Sequence, residues 1–181
     1  MLDFSKNHFE LFGLPVGYRI DSALLADRYR SLQSALHPDR YAVAGDREKR
    51  LSMQASTRVN EAFRTLKDPL ERARYLLSLH TGDTGGENET TKDMAFLMEQ
   101  MELRETLAEV KNQSDPIGAV GAVLDRLAEQ SKDLVAKLEI RLGAPSAEDL
   151  DEVRELIRKL QFVAKCRLEA ESLEAELDEL L

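Results

Sequence analysis

A single cysteine, Cys166, stands among 181 residues, which excludes an intrachain disulfide and any thiolate cluster site built by one copy of the chain. It is expected to be a small buried apolar residue. Nowhere do about eighteen apolar residues stand together, and the amino terminus lacks a charged segment followed by an apolar run. A soluble cytoplasmic protein that meets no membrane is therefore expected. Aromatic residues make up only 6% of the chain, while Leu, Ala and Glu abound, a balance that favours an all-α protein. No Gly-x-x-x-x-Gly-Lys segment exists, so the chain is not expected to hydrolyse nucleotide itself. His80 has no companion histidine or cysteine at ligand spacing, so neither a metal site nor a cofactor is expected.

What is present is charge, unevenly spread. Residues 1 to 80 hold 13 Lys and Arg against 10 Asp and Glu, a net +3, whereas residues 81 to 181 hold 12 against 24, a net −12. The two halves are expected to meet different partners, and neither reads as a nucleic-acid surface. The chain is long enough for one large domain or two small ones, each with a real core.

In the first half, Asp21 can cap a helix over 21–36 whose Leu25, Tyr29, Leu32 and Leu36 form one stripe. Pro38 has no amide proton and pushes His37 out of the helical region, so the helix stops there. Leu51, Ala55, Val59, Ala62 and Leu66 form a second stripe of the same kind. Two helices with one apolar face each and a short connection predict an antiparallel hairpin with His37-Pro38-Asp39 exposed at its tip. Arg28 and Arg30 lie on or beside the outer face of the first helix, and Arg40 follows the triplet. Asp27 and Glu48 dilute this basic patch. A proton shared between His37 and Asp39 for catalysis is not expected, because Pro38 separates them and no pocket is apparent. Before the hairpin, residues 8 to 13 predict a short helix ended by Gly13-Leu14-Pro15, with Phe9 and Phe12 packed on the hairpin. After it, Asp68 can cap and Pro69 can open a helix running to about His80.

The glycine-rich polar stretch 81–90 predicts a domain boundary, leaving 1–80 as one domain and 91–181 as another. The second domain predicts three helices, roughly 91–112, 116–142 and 147–180, running up, down and up. Thr90 with Asp93 and Ser146 with Asp149 resemble capping boxes with Asp in place of Glu. Val120, Val123, Leu127, Leu134 and Leu138 line the middle helix, and Val153, Leu156, Leu160 and Val163 the last. The first of the three has an apolar face too many. Phe96, Leu103, Leu107 and Val110 fall within about 60° of each other and supply the bundle face. Met94, Leu97, Met98 and Met101 form another stripe roughly opposite, with Glu102 and Glu105 beside it, and Phe162 points away from its own core row. Either this second stripe packs on the first domain, or it is an apolar and acidic patch for a protein partner.

The opening Asn7-His8-Phe9-Glu10-Leu11-Phe12-Gly13-Leu14, the hairpin with its triplet, and Asn60-Glu61-Ala62-Phe63-Arg64-Thr65-Leu66-Lys67-Asp68-Pro69 followed by Arg72 and Tyr75 resemble a J domain. With Tyr75-Leu76-Leu77-Ser78-Leu79-His80 and Phe96-Leu97-Met98-Glu99-Gln100-Met101-Glu102-Leu103-Arg104-Glu105, nearly the whole chain is similar to the HscB family of J-type co-chaperones of iron-sulfur cluster assembly. The resemblance implies an N-terminal J domain joined to a C-terminal three-helix bundle. It also implies no catalysis by the chain itself. His37, Pro38, Asp39, Arg28, Arg30 and Arg40 would engage an ATP-dependent chaperone of the HscA or DnaK class and raise its hydrolysis rate. Leu97, Met98, Met101, Glu102, Glu105 and Phe162 would bind the cluster scaffold IscU. Leu36 stands where many J domains have an aromatic, and Arg40 where Lys is commoner. Two readings compete: a J-domain adaptor for another client, and a helical scaffold protein without chaperone work.

Overall fold

The computed structural model describes residues 3–36, 45–82, 91–143 and 145–179, and in these residues it is helical without strands. The helices are α1 (His8–Leu11), α2 (Ser22–Leu36), α3 (Asp46–Lys67), α4 (Pro69–Thr81), α5 (Met94–Glu109), α6 (Pro116–Arg141) and α7 (Ala147–Asp178). A short 3₁₀ turn, Val110–Asn112, follows α5. The chain divides into two compact units, Met1–Gly82 and Asp83–Leu181.

In the first unit, side chains decide where helices start. Asn7 accepts from the Glu10 amide while the Glu10 carboxylate accepts from the Asn7 amide, so α1 opens with a reciprocal cap. It is shorter than expected, ending at Leu11 with Gly13 in the left-handed region at φ 61°. Asp21 accepts from the Ala23 and Leu24 amides, as its position before α2 suggests. Asp68 accepts from the Leu70 and Glu71 amides at 2.8 and 3.0 Å, and Pro69 takes the first position of α4.

The hairpin is antiparallel, as its contacts prove: Tyr29 meets Asn60 and Phe63, whereas Leu36, further along α2, meets Ser52, further back along α3. Phe9, Phe12, Leu25, Val59, Ala62, Leu66, Leu76 and Leu77 are all but inaccessible to solvent and make the core. Arg72 is buried among them. Its guanidinium donates to the Leu66 carbonyl at 2.8 Å and lies 4.9 Å from the Tyr18 ring, so a dipole and a π face meet its charge.

In the second unit, α6 and α7 bury the residues that their periodicity marks: Val120, Val123, Leu127, Leu134 and Leu138 on one, Val153, Leu156, Leu160 and Val163 on the other. Cys166 is buried in the same row of α7, and burial pushes its thiol pKa up. A polar ladder fixes α5 against α7: Thr91 to Glu155, Asp93 to Lys159, Arg104 to Glu169 and Lys111 to Glu176, each pair 64 to 66 residues apart in sequence. A constant offset means parallel helices, and with α6 antiparallel between them the order is up, down and up. The Ser146–Asp149 capping box is present. The expected Thr90–Asp93 box does not open α5: Thr90 lies outside the described residues, and Asp93 is itself the N-cap, accepting from the Phe96 amide at 3.1 Å. The Lys159 ammonium beside it holds its carboxyl below the ordinary range.

Candidate functional site

Two surfaces gather the residues expected to act. The first lies at the hairpin. His37, Pro38, Asp39 and Arg40 fall outside the described residues, but the helices on either side of them are described. Ser52 Oγ donates to the Leu36 carbonyl at 3.0 Å, tying the last turn of α2 to the opening half of α3. One and two turns back along α2, Gln33 donates to the Tyr29 hydroxyl, Tyr29 donates to Asn60 Oδ1 at 3.0 Å, and the Tyr29 ring stacks on Phe63 at 3.9 Å. The anchorage along the hairpin is thus polar and aromatic as well as apolar. Arg28 and Arg30 are exposed on α2. Arg30 pairs with Asp27 with both side chains about two-thirds exposed, at 68% and 66%, a contact too solvated to hold the guanidinium away from a partner.

The second surface is on α5. Met94, Met98 and Met101 are 68, 61 and 62% exposed, Glu102 and Glu105 are exposed, and Leu97 and Phe162 are half-buried. Leu103, Leu107 and Val110 face the core, as expected. Phe96 does not belong with them. It is half-buried and meets Phe162 edge to face, with ring centroids 6.1 Å apart and planes at 81°. The core position one turn on is taken by Gln100, fully buried, whose Nε2 donates to Gln130 Oε1 on α6 at 3.0 Å.

Phe162 is likewise not on the far side of α7. It lies on the flank that α7 turns to α5, its ring capped by the Arg104 guanidinium at 4.9 Å. Arg104 stands about 80° round α5 from Phe96, and Leu97 about 100°. The aromatic pair thus adjoins the edge of the methionine stripe, and the patch wraps from Met98 and Met101 through Leu97 to Phe162 instead of lying on two opposed faces. Sequence reading missed Phe96, Arg104 and Lys159, whose ammonium lies 5.6 Å from the Phe96 ring. Their roles depend on which flank of α7 faces α5, a matter of interhelical rotation that single-helix periodicity does not encode.

The exposed stripe has the composition of a binding surface. Among the described residues no three His, Cys, Asp or Glu side chains gather where a metal could sit, and no helix is long and apolar enough to cross a membrane. The patch offers adaptable thioether and aliphatic area in the middle and carboxylates at its border, the anatomy of a protein-protein contact.

The chain is similar to known proteins over nearly its whole length. Residues 92–180 match the family described as HSCB C-terminal oligomerisation domain. The co-chaperone protein HscB homolog of Shewanella woodyi is 43% identical over 173 residues, which cover 96% of this chain and 99% of that protein. Among solved structures, the chaperone HscB from Vibrio cholerae superposes with a TM-score of 0.83 at 40% identity over 95% of this chain and 99% of its own. The human co-chaperone protein HscB follows at 0.79 and 29% identity, over 93 and 82%.

Proposed function

Since the chain belongs to the HscB family, J-type co-chaperones of iron-sulfur cluster assembly, we propose a division of labour between its two units. The first docks on an ATP-bound chaperone of the HscA or DnaK class through His37, Pro38 and Asp39, aided by Arg28, Arg30 and Arg40, and raises that partner's hydrolysis rate. The second holds an IscU-type scaffold on Leu97, Met98, Met101, Glu102, Glu105 and Phe162. The chain performs no hydrolysis of its own and works in the cytoplasm.

One observation carries the second half of this reading: α5 leaves three methionines more than 60% exposed beside a core that is complete without them. Solvated thioethers in one row are a liability unless a partner covers them. Glu102 and Glu105 add a negative border, so the partner's face is apolar with basic residues around it.

Calorimetric titration of an IscU-type scaffold onto the full-length chain tests the assignment. Replacing Leu97, Met101 and Phe162 together by Ala should weaken binding at least tenfold, about 1.4 kcal/mol or more. The same substitutions should lower stability by only about 1 to 2 kcal/mol, drawn mostly from half-buried Phe162 and Leu97. A larger stability loss with no selective loss of affinity would make the patch structural. The description of the matched family as an oligomerisation domain gives a second reading, in which the same stripe buries against another copy. Sedimentation that shifts with concentration in the wild type, and not in the triple variant, would favour it.

A further inference from the structure

Resting on the reading that the α5 stripe and Phe162 receive the scaffold, we infer that Arg104 and Glu169 form a clamp that presets Phe162 for docking and masks the α5 cation that would repel the partner. Within α5, Arg104 is the single cation beside Glu99, Glu102, Glu105 and Glu109. It sits at the aromatic edge of the stripe, where basic side chains drawn in by Glu102 and Glu105 would meet it. Left free, it would oppose them.

It is not free. The guanidinium lies 4.9 Å from the Phe162 ring, and its Nη2 donates to Glu169 Oε1 at 3.2 Å. Phe162 and Glu169 are seven residues apart, two turns of α7, so they lie on one face and hold Arg104 between them. The ring is in turn met edge-on by Phe96. A side chain held from two directions has little rotamer freedom left to lose when a partner arrives, which favours tight association. As one rung of the ladder between α5 and α7 the pair adds little to stability, since it is 44% and 53% exposed and such pairs contribute little to folding. Its function is to shape a binding surface, with Arg104 a positioning residue and Glu169 its counter-charge.

Titrations with the scaffold at about 50 and 300 mM salt, where screening differs by more than a factor of two in length, separate the possibilities. Glu169→Gln keeps the fold, judged by unchanged thermal melting, and should weaken binding about five- to tenfold at low salt and less at high salt, because an unmasked Arg104 repels through solvent. In an Arg104→Gln background the same Glu169→Gln change should alter affinity less than twofold. Binding by Glu169→Gln within twofold of wild type at low salt would overturn the clamp. So would an equal loss in the Arg104→Gln background, which would make Glu169 a direct partner contact. A wild-type chain that binds no scaffold would remove the underlying reading as well.

Discussion

His8 stacks on Tyr75 with ring centroids 4.2 Å apart, and its backbone amide donates to the Tyr75 hydroxyl at 3.0 Å. Its Nδ1 is buried and meets no hydrogen-bond partner among the described residues. Burial first, and then the nearby Arg58 guanidinium, hold its pKa below the ordinary histidine value, with Glu61 acting against them. As pH falls, the unfolded chain therefore takes up this proton before the folded chain does. Stability is complete above pH of about 6.5 and is lost as pH falls from there toward the lowered folded value. All four tyrosines lie in the first 82 residues, so tyrosine fluorescence reports on that unit alone. Denaturant melts followed this way should show a lower midpoint at pH 5.5 than at 7.5, and His8→Phe, which keeps a stacked ring, should flatten the difference. An identical slope in both proteins would exonerate His8. None of this is legible in the sequence, where His8 is one residue of an opening motif. Gln100 is hidden for a related reason: an amide in the middle of an apolar row reads as a helix face turned to water. Its Nε2 reaches Gln130 on α6, a contact no single-helix pattern shows, while its Oε1 is buried without a partner among the described residues.

At the scale of the helix, two glycines in α6 carry opposite consequences. A Cβ on Gly118 would lie 2.2 Å from Asp115 Oδ2, and the Asp115 carboxylate is the N-cap, accepting from the Gly118 amide at 3.0 Å. A Cβ on Gly121 meets nothing within 4 Å. Gly121→Ala should therefore stabilise the second unit by about 0.5 to 1 kcal/mol through helix propensity and a less flexible unfolded chain. Gly118→Ala has the same propensity gain but displaces the cap, whose loss costs about 1 kcal/mol, so its net effect should be close to zero or negative. Urea melts of the two variants followed by helical circular dichroism check the difference; equal midpoints would mean that Asp115 caps nothing of consequence. The elements themselves were largely legible. The core stripes of α6 and α7 and the Ser146–Asp149 box follow from spacing alone, because both are local. α5 starts three residues later than the sequence suggests, at Met94 with Asp93 as its N-cap, and Asp93 also meets Lys159, a residue 66 positions away that local patterns do not show. Phe96 and Phe162 depart from the core and outlier positions that their spacing suggests, because the period of one helix does not encode how its neighbour is turned.

For the whole molecule, the charge contrast fits the proposed division of labour: a unit with net +3 followed by residues with net −12 would suit an acidic docking face on a chaperone and a basic border on a scaffold. Joining two binding units in one chain makes the second encounter intramolecular, at an effective concentration on the order of millimolar for short linkers. On the proposed division of labour that linkage is what the chain adds beyond either contact, and it can be tested by separating the lesions. His37→Gln should abolish chaperone stimulation while leaving scaffold affinity at the wild-type value, because the substitution lies in the unit that does not hold the scaffold. The Leu97, Met101 and Phe162 alanine variant should do the reverse. An equimolar mixture of the two proteins then contains every functional surface, but on different chains. At about 1 μM of each, roughly a thousandfold below the effective concentration that linkage supplies, the mixture should stimulate basal hydrolysis through the intact J unit of the alanine variant. It should also bind scaffold through the intact patch of the His37→Gln chain. Scaffold-dependent stimulation above that basal rate should be missing, and raising both proteins toward millimolar should bring it back. Full activity of the mixture at 1 μM would show that the two units need not share a chain, unless sedimentation finds the variants paired, in which case the His37→Gln chain and its neighbour are joined by the fold's own association.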